Sequence, residues 1–172
     1  GGGLYVSEMV TSRALVERSP ESLRIIEHDE DEKVRSVQLY GVDPVTVGAA
    51  IRILVEEDRA DHIDLNFGCP VPKVTRKGGG SALPWKLDLF TAIVQTAVKE
   101  ASKGNIPLTI KMRKGIDEDH LTFLDAGRIA REGGRVIAVD IAEDRVKELA
   151  AEIGDAVVPV AADLTDLEAV DR

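Results

Sequence analysis

A chain of 172 residues with 44% hydrophobic and 31% charged residues has the length and composition of one soluble globular domain, which excludes a disordered or low-complexity protein. Its single cysteine excludes an internal disulfide and a cysteine-built metal site, so the expected compartment is the reducing cytoplasm. A formal net charge of -9 excludes a protein that coats nucleic acid through overall charge, and no run approaches the roughly 20 apolar residues of a membrane span, so no membrane partner is expected.

Short β-rich runs alternate with longer stretches of helical period, which is the signature of βαβ units around a parallel sheet. The chain opens GGGLYVSEM without an initiator methionine, and its first predicted strand covers 4–9. Ser19-Pro20, an N-cap followed by proline at the first helical position, starts a predicted helix over 20–28. A strand over 34–41 leads to Asp43-Pro44, the same device, and to a helix over 44–58. The third strand, 62–68, gives way to Cys69-Pro70, where the proline removes a ladder donor. A helix over 87–103 stops at Gly104, and a strand over 107–113 precedes a helix over 119–132. A strand over 135–141, a helix over 143–153 stopped by Gly154 and a strand over 156–164 complete the pattern. The closing LTDLEAVDR reads as the first turn of a further helix from 166, so both ends of the chain are expected to be cuts.

Parallel sheets of this kind carry their chemistry at the C-terminal ends of the strands, so the charges can be sorted by end. Lys73, Arg76, Lys77 and Lys86 follow the third strand, and Lys111, Arg113 and Lys114 close the fourth, whereas EHDEDE (27–32) and EED (56–58) lead into strands. Two readings stand: a basic rim fit for a polyanion such as RNA phosphate, or a solvated mixed-charge surface, which Asp117, Glu118 and Asp119 on the same rim favour. Cys69 also has two. A lone cysteine beside an apolar strand is most often a small core residue, yet directly after IDLNFG it reaches the mouth of a sheet or barrel. Thiols are mostly protonated at neutral pH but can release the proton, which suits a general acid as well as a nucleophile. A Cys/His nucleophilic pair is disfavoured, because His28 and His62 precede strands at the opposite end and His120 opens a helix. KGGGSAL (77–83) lacks both the Walker order and the dinucleotide spacing, and reads as a glycine-made turn.

Four segments, SEMVTSRAL (7–15), SVQLYGVDP (36–44), DLNFGCPVPKVTRKGGGSAL (64–83) and PLTIKMRKGID (107–117), resemble in order and spacing the bacterial flavin-dependent tRNA-dihydrouridine synthases, over about residues 3–132. The resemblance implies a (β/α)8 barrel that holds FMN, takes NADPH as reductant and reduces uridine in tRNA to 5,6-dihydrouridine. By motif it implies Cys69 as the proton donor to C5, Gln38 and Lys111 as contacts to the flavin ring, and Asn66 as a contact to the flavin or the target uracil. It also implies Arg113 as a contact to substrate or cofactor, and 77–83 as a loop over the site with Lys73, Arg76 and Lys77 as RNA contacts. The mundane alternative is that Gln38 and Asn66 satisfy strand ends while Lys111 and Arg113 are merely solvated.

From Gly133 onward, GGRVIAVDIAEDRVKELAAEIGDAVVPVAADLTD resembles instead the second and third strands of a short-chain dehydrogenase/reductase, with Asp140 matching the ribose contact and Asp163 the contact beside adenine. The expected organisation is a partial FMN barrel over 1–132 and a Rossmann-like βαβ segment over 133–172 that continues the same sheet. The expected fold is α/β: an incomplete (β/α)8, TIM-type barrel of about six parallel strands, or the same strands opened into a doubly wound sheet. Exposed sheet edges would then favour self-association. The barrel family's motifs for strands one, six, seven and eight have no counterpart, so FMN binding is expected to be weak; three lost charge-assisted hydrogen bonds at about 2 kcal/mol each amount to about four orders of magnitude in affinity. An impaired synthase, a nucleotide-binding Rossmann fragment and a catalytically silent chimeric scaffold are the three functions left open.

Overall fold

In HIDLNF every second side chain is apolar, and this alternation organises the sheet around it. A computed structural model of the chain describes residues 4–117, 119–132, 136–140, 143–155 and 157–161. The chain divides into two units, one spanning Gly3–Phe123 and one holding Leu124–Arg172.

The first unit contains β1 (Val10–Thr11), α1 (Ser12–Val16), α2 (Pro20–Ile25), β2 (Ser36–Tyr40), α3 (Pro44–Glu56), β3 (His62–Phe67), α4 (Pro72–Thr75), a 3-10 helix over Gly80–Trp85, α5 (Leu87–Lys103) and β4 (Leu108–Met112). Its four strands lie in the order β1-β2-β3-β4 and all pair in parallel. The register sets Gln38 beside Asp64 and Asn66 beside Lys111. Ile63, Leu65 and Phe67 are buried together with Val37 and Leu39 of β2, and the Phe67 ring meets Phe90 of α5 edge-on, with centroids 5.1 Å apart. On α3 and α5 the buried residues recur at helical spacing, Val47, Ile51 and Leu54 on one and Phe90, Ile93, Val94 and Ala97 on the other. At Gly48 the two helices approach so closely that a β-carbon would stand 2.7 Å from the Thr96 methyl group.

The two proline-marked starts form as expected. Asp43 accepts the Thr46 N–H at 2.8 Å and Ser19 accepts the Ser22 N–H at 3.1 Å, each satisfying a free donor of the first turn. The first strand differs from expectation. Only Val6 of the 4–9 run makes a bridge, to Ser36, and regular pairing begins at Val10 opposite Leu39. From Val6 to Val10 is four steps while Ser36 to Leu39 is three, so the segment bulges by one residue, and the Ser7 hydroxyl accepts the Gln38 N–H at 3.1 Å inside the bulge. The helix predicted over 119–132 begins only at Phe123, because a turn comes first: Gly115 bridges Leu121, and the His120 ring meets the Asp117 carboxylate at 2.5 Å.

The second unit contains α6 (Phe123–Glu132, from Leu124 onward), β5 (Val136–Asp140), α7 (Glu143–Ile153) and β6 (Val157–Ala161). Strands β5 and β6 pair in parallel from Val136 opposite Val157 to Asp140 opposite Ala161. Val146, Ile153 and Val157 are buried, with Leu124, Leu149 and Ala150 packed against them, and Arg128 of α6 meets Glu152 of α7 at 3.0 Å. The described strands thus make a four-stranded sheet in the first unit and a two-stranded sheet in the second, six parallel strands as expected. The helix predicted from 166 lies outside the described residues. Among the described residues no helix is long and apolar enough to cross a membrane.

Candidate active site

Cys69 lies two residues beyond β3, and its backbone is held from three directions. The N–H groups of Gly68 and Cys69 donate to Asn66 Oδ1 at 3.0 and 3.1 Å. Arg113, just past β4, donates its Nε–H to the Gly68 carbonyl at 2.7 Å. The Ser81 N–H donates to the Cys69 carbonyl at 3.0 Å, drawing the 3-10 helix over the strand end. That closure depends on Gly80, whose φ is +56° and where a β-carbon would stand 2.3 Å from the Cys69 oxygen. The Cys69 thiol itself is free and half-buried.

The polar sides of β2, β3 and β4 form one continuous hydrogen-bonded surface leading to this loop. Asn66 Nδ2 donates to Gln38 Oε1 at 2.9 Å, and Gln38 Nε2 donates to Asp64 Oδ2 at 2.7 Å. The other carboxylate oxygen of Asp64, a residue only 7% exposed, accepts from the Thr109 hydroxyl at 2.5 Å. Thr109 Oγ1 also lies 3.1 Å from His62 Nε2, and His62 Nδ1 lies 2.6 Å from Ser36 Oγ. Burial pulls the His62 pKa below its ordinary 6.5 and outweighs the opposing pull of Asp64, so the ring is neutral at pH 7. Lys111 falls two residues after Thr109 and beside Asn66 in the register, which places it on the same side, exposed. Tyr40 falls two residues after Gln38; burial pushes its phenol above the ordinary 10.0, and the neighbouring Cys69 adds to the shift.

Gln38, Asn66 and the Cys69 peptide are therefore joined by direct bonds, Lys111 shares their side of the sheet, and Arg113 holds the peptide from just past β4. Lys73, Arg76 and Lys77 are exposed on α4 and the turn that follows it. Lys86 also folds over this loop, its ammonium 3.0 Å from where a Gly78 β-carbon would be. His62 stands at the N-terminal end of β3, away from Cys69, as expected. Asp140 closes β5, while Asp163 lies outside the described residues. Asp64, Tyr40 and Thr109 escaped the motif-led reading, although the period of two in SVQLY and HIDLNF marks Tyr40 and Asp64 as sharing a face with Gln38 and Asn66.

A family model, that of dihydrouridine synthase (Dus), matches residues 1–141. The chain belongs to the dihydrouridine synthase family. The match continues past Gly133, where a change of pattern was expected, and the parallel α/β arrangement fits an incomplete form of the family's TIM-barrel fold. A probable tRNA-dihydrouridine synthase of Mycobacterium tuberculosis (strain CDC 1551 / Oshkosh) is 56% identical over 138 residues, 80% of this chain and 36% of the relative. One of Mycobacterium leprae (strain TN) is 54% identical over 138 residues, with the same shares. The tRNA-dihydrouridine synthase B of Pectobacterium carotovorum is 38% identical over 134 residues, 78% of this chain and 40% of that protein. The chain thus spans well under half the length of these dihydrouridine synthase relatives.

Proposed function

We propose that this chain carries the uridine-reducing site of a tRNA-dihydrouridine synthase, with tRNA as substrate, FMN as cofactor and NADPH as reductant. The observation that supports it is that Gln38, Asn66 and Lys111 share one side of the sheet and that Asn66 bonds both Gln38 and the Cys69 peptide beyond the C-terminal end of β3. The donor set suits a flavin ring. Gln38 keeps one amide N–H beyond the one given to Asp64, and Lys111 adds an ammonium, so the surface presents hydrogen-bond donors to carbonyl oxygens and a cation to developing negative charge. When bound, FMN reduced by NADPH supplies the hydride that adds at C6 of the uracil. Cys69 gives its Sγ proton to C5, so that one hydride and one proton add across the C5=C6 bond, and the resulting thiolate regains a proton from solvent. Asn66 and Arg113 fix the peptide from which that thiol projects. Lys73, Arg76 and Lys77 are proposed to meet tRNA phosphates, with an affinity that falls as salt rises.

Titration with FMN tests the cofactor reading. Saturable quenching of flavin fluorescence is expected, with weak affinity, and Lys111→Ala should weaken it about tenfold through loss of a charge-assisted contact. Cys69→Ala should bind FMN like the parent chain but form dihydrouridine from tRNA and NADPH at least about 100-fold more slowly. Protein that leaves the fluorescence unchanged at high FMN would remove the cofactor from the proposal. A second reading is favoured by the parallel β5–α7–β6 arrangement, in which residues 133–172 form a Rossmann-like nucleotide-binding segment with Asp140 and Asp163 as ribose and adenine contacts. Calorimetric titration with NAD tests it, and an absence of heat counts against it. Among the described residues β1 and β4 are the outer strands of the four-stranded sheet, and their outer sides are proposed as self-association edges, to be checked by sedimentation over a range of concentrations.

A further inference from the structure

We infer that Asp64 is a positioning residue whose buried carboxylate accepts the last donor of the chain running from the Cys69 peptide through the Asn66 and Gln38 amides, and so holds both amides, and that peptide, in place. The site roles of Gln38 and Cys69 rest on the proposed function; the bonding chain does not. Starting from Cys69, the directions follow one from another. Backbone N–H groups only donate, so Asn66 must turn Oδ1 toward Gly68 and Cys69. Its Nδ2 then faces Gln38 Oε1, and Gln38 Nε2 in turn faces Asp64 Oδ2, which has to accept. Were Asn66 reversed, two backbone donors would face two more, and an unmade bond in a half-buried site costs more than a made one contributes. At the far end the Thr109 hydroxyl donates to Asp64 Oδ1, which leaves its lone pair for an Nε2–H of His62, while His62 Nδ1 accepts from Ser36. Burial keeps that ring neutral, so it carries one proton, and a Thr109 hydroxyl already donating to Asp64 places it on Nε2. The side chains from Ser36 to Asn66 therefore share one proton order, anchored by an acceptor-only group in the middle.

Asp64→Asn separates this arrangement from mere packing. An asparagine can keep its oxygen toward Gln38, leaving Gln38 and Asn66 in place, but its amide must then donate to Thr109. The Thr109 proton turns to His62 Nε2, and the His62 proton moves to Nδ1 to reach Ser36. Nitrogen-15 NMR of the imidazole rings in the full chain should show His62 protonated at Nε2 in the parent and at Nδ1 in Asp64→Asn. Asp64→Leu, similar in shape but without an acceptor, should speed exchange of the Gln38 and Asn66 side-chain amide protons about tenfold and lower FMN affinity by about the same factor, whereas Asp64→Asn stays within about twofold of the parent. Should Asp64→Leu not fold, Thr109→Val on the exposed side of β4 should lose the single-tautomer state of His62 while the two amides remain protected. A His62 proton on Nδ1 in the parent, a tautomer unmoved by Asp64→Asn, or amides unaffected by Asp64→Leu would overturn the assignment. If FMN binds no form of the chain, the cofactor proposal fails, and the ring and amide measurements still decide the role of Asp64.

Discussion

At Gly80 one methyl group would do the most damage to the site. Its φ of +56° is a conformation that costs a residue with a β-carbon about 1–2 kcal/mol, and the added carbon would press on the Cys69 carbonyl from 2.3 Å. Gly80→Ala should therefore lower stability by about 2 kcal/mol or more in urea unfolding. Release of the Ser81 contact should also raise the alkylation rate of Cys69, and a variant with parent-like stability and thiol reactivity would refute this account. The three glycines 78–80 were visible as a turn. Which of them must be left-handed was not, because that depends on the Cys69 carbonyl, which comes from the end of another element. Asp64 has the same history: its alternation with Asn66 is written in the strand, but the partners that give it meaning, Gln38 and Thr109, belong to the strands on either side.

Among the elements, the ends that carry their own chemical signal formed where expected. Asp43 caps α3 through the Thr46 N–H, and Asp43→Ala should cost about 1 kcal/mol, read as a lower urea midpoint with an unchanged slope. Helix α5 occupies the predicted 87–103 in full. It contributes Glu100, which sits between Arg52 of α3 at 3.1 Å and Lys103 at 2.6 Å; these hydrogen bonds bring its carboxyl from the ordinary 4.5 down to about 2. A depressed carboxyl stabilises the fold above its unfolded value and loses that contribution as pH falls toward the folded one. Glu100→Gln should thus be less stable than the parent at pH 7, with the gap closing between about pH 4.5 and 2; a gap independent of pH would rule out the ion pair as its source. Helices α1, α4 and the 3-10 turn were not anticipated. Segments of four to six residues are too short to display a helical period, and they are ordered by the Thr11 cap on α1 and by contacts such as Ser81 to Cys69 at the 3-10 helix.

At the scale of the molecule, the shifted acids and His62 among the described residues act in one direction in acid. Glu57 is brought down to about 2, first by Arg18 and then by Arg59, and Arg35 holds Asp61 far below the usual carboxylate range. Asp43, Asp117 and Glu143 are lowered by their own hydrogen-bond partners, and His62 by burial. Each of these groups binds more protons in the unfolded chain, so stability falls with pH, beginning below the ordinary histidine value of 6.5 and steepening below 4.5. Relief of the self-repulsion from a net charge of -9 acts the other way, but at about 0.15 M salt it is largely screened beyond about 8 Å, while the paired groups are in contact. Urea midpoints measured from pH 7 to 2.5 should fall throughout, and a rise on acidification would contradict the assignment of these pairs.

The sequence by itself determined the parallel α/β rhythm, the capped helices, the family and the place of Cys69 at a strand end, since periodicity, caps and motif spacing are local properties of the chain. Tertiary structure alone decided the bulge before β1, the pairing order β1-β2-β3-β4, and the bonded surface joining Ser36, His62, Thr109, Asp64, Gln38 and Asn66. The physical reason is register. Parallel partners come from segments separated by more than twenty residues, and only their relative alignment determines which side chains share a face close enough to bond.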